Sequence, residues 1–187
     1  GVVVGAIAAY LVFGTAGIAA QAQRTLRADF ASLADPVASA APGVDTTSAR
    51  SDPSTTAPDR PRSEPPDASG TADRPEAGSP VARLRIPAIG LDRIVVEGVG
   101  TPELRRGPGH YPGTSHPGET GNVGIAGHRT TYGAPFGNLD RLAPSDRITL
   151  DTTDGRSFTY EVIGTEIVAP SQVRVLADVG DDRLPLT

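Results

Sequence analysis

Residues 121–136 read Gly-Asn-Val-Gly-Ile-Ala-Gly-His-Arg-Thr-Thr-Tyr-Gly-Ala-Pro-Phe and hold the side chain best suited to chemistry. Val123 and Ile125 alternate as buried strand positions do, Gly127 ends the run, and His128 is delivered at its tip. An imidazole titrates near neutrality, so His128 can act as a general acid, a general base or the partner of a nucleophile. Arg129 comes next, and strand alternation turns it away from His128 toward solvent. Thr130, Thr131 and Tyr132 follow where a cleft would be lined, with Thr130 as the substrate-contact candidate. A histidine placed this way usually serves a nucleophile, yet the chain contains no cysteine. That excludes disulfides, Cys-based zinc sites and thiol catalysis by these 187 residues alone.

The remaining candidates are weaker. His110, His116 and His128 are the only histidines. Three imidazoles can hold zinc, but their spacing matches no short ligand motif and two lie in Gly/Pro-rich loop, so no metal or cofactor is expected. Ser115, His116 and Asp140 contain the residue types of a hydrolytic triad without a Gly-x-Ser-x-Gly elbow. All 17 basic residues are Arg and the net charge is −5, which argues against nucleic acid as a partner.

The elements that would position His128 lie in residues 81–187. Val81–Ile86 alternates as a half-buried strand, broken by Pro87 and Gly90. Asp92–Glu97 reads as a second strand, closed by Gly98 and Gly100. Thr101-Pro102 opens a single helical turn with Thr101 as its cap. Gly107–Gly121 is loop, Asn122–Ala126 a strand, and Pro135–Leu142 a short helix. Arg147–Asp151 and Ser157–Ile163 flank Asp154-Gly155, a strong hairpin signal. Leu184–Thr187 enters another strand. Many short strands separated by turns indicate an all-β barrel or sandwich.

Two segments precede this domain. Residues 1–20 carry no charge and are long enough, as a helix, to cross about 30 Å of hydrocarbon, so residues 1–22 are expected to be a transmembrane anchor. Residues 23–80 are expected to be a disordered tether, because residues 31–80 hold nine of the 18 prolines and no aromatic side chain. No Met is present and Gly1 opens inside an apolar run, so the chain is expected to be part of a longer protein.

Gly107-Pro-Gly-His-Tyr-Pro-Gly-Thr114, residues 121–136 and Leu139-Asp-Arg-Leu142 together resemble the sortases, class E sortases of actinobacteria in particular. The resemblance covers residues 81–187. It implies a sortase-type β-barrel with short helices, incomplete in this chain, on a membrane-anchored cysteine transpeptidase facing outward. It implies cleavage of an LPxTG- or LAxTG-type sorting signal of secreted surface proteins, and transfer to an amine of the peptidoglycan cross-bridge or its precursor. His128 matches the family's catalytic histidine, and Tyr111 a tyrosine near the substrate groove. The family's nucleophilic Cys and oxyanion-stabilising Arg have no counterpart here, and neither Arg129 nor Arg183 occupies the matching position. The chain alone is therefore expected to be inactive. A non-catalytic, sortase-like module binding peptide or wall is the alternative.

Overall fold

The computed structural model describes residues 14–38, 74–168, 176–177 and 182–187. β1 (Pro80–Ile86) and β2 (Leu91–Glu97) form an antiparallel hairpin. Pro87 fixes the backbone for a 3-10 turn over Pro87–Ile89, and Gly90 closes it at φ 64°, a left-handed conformation that glycine takes without strain. β5 (Arg147–Thr152) pairs antiparallel with β1 and continues into β6 (Ser157–Glu161). The hairpin anticipated at Asp154-Gly155 forms there, with Gly155 at φ 81°.

The other half of the sheet carries the histidines. After β2 the chain makes one helical turn, α2 (Thr101–Leu104), whose cap is Gly100 rather than the anticipated Thr101. It then enters β3 (Gly109–His110), parallel to β2, and later β4 (Ile125–Ala126), antiparallel to β3. A Cβ on Gly109 would sit 2.1 Å from the carbonyl oxygen of Gly98, so only glycine allows β3 to approach β2 this closely. The six strands run in the order β4-β3-β2-β1-β5-β6 and form a curled half-barrel. Ala82, Leu84, Ile86, Val95, Val123, Ile125, Phe136 and Leu150 fill its concave core. The helix anticipated over Pro135–Leu142 shrinks to a 3-10 turn at Leu139–Arg141.

The outer face of β2 is also buried, by an element that composition concealed. α1 (Thr15–Ala38) lies against it, with fully buried Leu26 packed on Ile94 and Val96 and flanked by Phe30. Ala19, Gln23, Leu26 and Phe30 recur at four, three and four residues, the spacing of one helical face. Gln23 fixes the register through its side-chain amide: Nε2 donates to the Ile94 carbonyl (2.9 Å) and Oε1 accepts from the Ile94 amide (2.8 Å). Nε2 also donates to the Arg106 carbonyl (3.0 Å). The expected boundary between anchor and tether at residue 22 thus falls inside one continuous helix. Residues 23–38 are helical rather than disordered, because a single apolar stripe suffices when a sheet face is there to receive it. Residues 1–13 and 39–73 lie outside the described residues. Among the described residues no helix is long and apolar enough to cross a membrane, and most of the span expected at residues 1–22 lies outside them.

Truncating Leu26 to Ala should destabilise the protein by about 2–5 kcal/mol, the cost of emptying a well-packed leucine site. Urea unfolding checks this. An unchanged midpoint would mean that α1 does not pack on β2 in solution.

Candidate active site

β4 carries His128 to the end of the sheet. It is paired on one side by β3, where Gly109 faces Ala126 and His110 faces Ile125. On its other side runs the segment 183–187, parallel to it, with bridges Asn122–Arg183 and Ile125–Leu186. The amides of Val123, Ile125 and Gly127 donate to the carbonyls of Arg183 (2.8 Å), Pro185 (3.0 Å) and Thr187 (2.7 Å). The Thr187 amide returns a bond to the Ile125 carbonyl at 2.9 Å. The segment anticipated as a strand at Leu184–Thr187 forms isolated bridges rather than a full strand, and it lies beside the strand that leads to His128.

Gly127 sits under the ring of Phe136, where an added Cβ would lie 2.7–3.0 Å from three ring carbons. Phe136 is fully buried and its amide donates to the His128 carbonyl at 3.0 Å. Ring and hydrogen bond together clamp the backbone on both sides of the His128 Cα. The imidazole is partly buried, and its Nε2 is shielded from solvent with no hydrogen-bond partner among the described residues. Burial, and secondarily the Arg105 charge, push its pKa below the ordinary 6.5. The neutral ring, able to accept a proton, is the form this environment favours. The sign for stability follows: His128 contributes fully above pH 6.5 and less as pH falls below it, because the unfolded chain then takes up a proton that the folded ring resists.

Tyr132 stacks beside His128, with ring centroids 4.9 Å apart, and Arg105 lies 5.9 Å from the Tyr132 ring centroid. The Tyr132 amide donates to the Thr15 hydroxyl at 3.1 Å, so the start of α1 touches this loop. Neither Arg105 nor Thr15 was legible as a site residue, since each arrives from a distant segment. Tyr111 lies at the edge reached by the C-terminal segment, its hydroxyl 3.4 Å from that of Thr187. Thr130 is exposed on the loop two residues past His128. Arg129 turns outward and pairs with Asp140 at 3.1 Å, an exposed contact of little energetic weight.

A second polar cluster underlies the loop from Tyr111 to Gly121. His110, 1% exposed, sets Nδ1 2.8 Å from Oε2 of buried Glu97 on β2. Its Nε2 lies 3.0 Å from both the Ser115 carbonyl and the Thr114 hydroxyl. That hydroxyl gives its proton to the Tyr111 carbonyl at 2.8 Å, so both neighbours of Nε2 accept and Nε2 carries a hydrogen.

A family model for the sortase domain matches residues 84–187. The chain belongs to the sortase family. The sortase D of Bacillus subtilis is 33% identical over 103 residues, which are 55% of this chain and 50% of that protein. Sortase SrtE1 of Streptomyces coelicolor is 37% identical over 112 residues, 56% of this chain and 32% of that protein. Sortase E of Streptomyces avermitilis superposes with a TM-score of 0.53 at 38% identity, covering 56% of this chain and 70% of the other. The chain thus spans half or less of the curated relatives named here. Class E sortases are among the proteins it resembles, as the motifs at 107–142 suggested.

Two outcomes are expected of this sortase domain. NMR titration should place the His128 midpoint below 6.5, and Arg105→Gln should raise it partway, because burial remains the larger cause. Gly127→Ala should cost about 1–3 kcal/mol through collision with Phe136. Phe136→Leu in the same chain should recover part of that loss, as read by thermal unfolding.

Proposed function

We propose that this chain is the histidine-bearing part of a class E-type cysteine transpeptidase. The observation that carries the reading is the parallel ladder between 123–127 and 183–187, which sets Thr187 against Gly127, next to His128. In the longer protein a Cys a few residues beyond Thr187 supplies the nucleophile, and an Arg on the following strand stabilises the oxyanion. The thiolate attacks the Thr–Gly carbonyl of an LPxTG- or LAxTG-type signal, and the C–N bond breaks. His128, holding the thiol proton, delivers it to the leaving amine. A cell-wall amine then attacks the thioester, giving its proton to the site and restoring the thiol. A nearby thiolate would raise the His128 pKa from its low value in this chain, making proton capture possible at the moment of attack. Tyr111 and Thr130 border the groove on either side of that chemistry. The protein acts at the cell membrane with this domain outside, and the 187 residues alone are inactive.

The second reading is a sortase-like module that binds peptide or wall without chemistry. One experiment separates the two. In the longer protein, His128→Ala should reduce transfer of a sorting peptide to an amine by at least about 100-fold while leaving circular dichroism unchanged. An unaltered rate would remove His128 from the mechanism, and no transfer by the parent protein would favour binding alone.

A further inference from the structure

We propose that Glu97, His110 and His116 form a binding site for a divalent transition-metal ion, with Zn²⁺ the best match. One potential ligand atom from each residue falls within 4.8 Å of the other two. Tetrahedral zinc with bonds near 2.0 Å holds its ligand atoms about 3.3 Å apart, so the widest gap in the set must close by about 1.5 Å or less while the Glu97–His110 contact opens slightly. Glu97 and His110 are rigidly placed on adjacent strands, and their facing atoms are already 2.8 Å apart. His116 is partly exposed on the loop, with its ring centroid 4.5 Å from that of His110, and provides the adjustable member.

The hydrogen bonding of His110 favours an ion. Its Nε2 hydrogen is committed to the Ser115 carbonyl, the outer contact that metal-bound histidines use to fix their tautomer. Nδ1 and the Glu97 carboxylate are then two lone-pair bearers facing each other. Something positive must lie between them, a proton or a metal. Ion binding displaces that proton, which leaves to solvent. Two imidazoles and one carboxylate suit zinc better than calcium or magnesium, which prefer oxygen ligands. A surface cavity of about 230 Å³ is lined by His116, Glu119 and Pro80, whereas Glu97 and His110 are buried and do not line it, so an ion would enter from the His116 side. The His128 cluster supplies none of these ligands, so the ion acts as a clip between the 111–121 loop and β2 and β3. No short motif announced the site, since Glu97 lies 13 positions before His110 and comes alongside only through parallel pairing.

The test uses the untagged chain, stripped with chelator and titrated with ZnCl₂ by calorimetry and with CoCl₂ by visible absorption. One Zn²⁺ per chain, four-coordinate Co²⁺ bands and a raised Tm are expected. His116→Ala and His116→Asn should weaken binding by about 100-fold or more with unchanged circular dichroism, while His128→Ala should bind like the parent. Absence of saturable binding would overturn the proposal. So would a His116 variant that binds as tightly as the parent, or loss of binding in His128→Ala.

Discussion

The three amide-to-carbonyl bonds from Val123, Ile125 and Gly127 to Arg183, Pro185 and Thr187 hold the functional half of this molecule together. β4 is only two residues long by its pairing with β3, and Val123, Ile125 and Ala126 are buried. Without the segment 183–187, its second edge would present buried amides with no partner, which a protein interior does not tolerate cheaply. With that segment in place, the strand is fixed on both sides, and the position and direction of His128 follow. Phe136 completes the restraint from the core side, since it occupies the space that a side chain at Gly127 would need.

Around this frame the polar groups divide into two sets. His128, Tyr132 and Arg105 meet at the open end of the sheet, where partial burial and a positive neighbour keep the imidazole neutral. Glu97, His110 and His116 lie beneath the loop that carries Tyr111, where a buried carboxylate and imidazole hold strand and loop together. α1 spans the outer face and reaches the first set through Thr15 and the sheet through Gln23. Helix, sheet and loop are therefore coupled by a few directional bonds over a small apolar core.

Much of this was legible in the residues. Alternation at 81–86, the Pro87 and Gly90 breaks and the Asp154-Gly155 turn located β1, β2, β5 and β6, because each signal is local. His128 at the tip of a strand was legible for the same reason. The part of α1 from residue 23 onward was hidden because the Ala, Ser, Asp and Pro content of its surroundings suggested a tether. The stripe at 19, 23, 26 and 30 emerges only once β2 is seen to offer a second apolar face. Arg105 and the Glu97–His110 contact depend on chain crossings that no local pattern encodes. The β3 pairing itself rests on Gly98 and Gly109, two glycines whose mutual approach is tertiary.

Amide hydrogen exchange at Val123, Ile125 and Gly127 tests the central claim most directly. Docking of 183–187 beside β4 predicts protection comparable to that of the β1–β2 hairpin, lost together at all three sites when residues 183–187 are deleted. Rapid exchange at these amides in the intact chain would contradict it, and with it the placement of Thr187 against Gly127, next to His128.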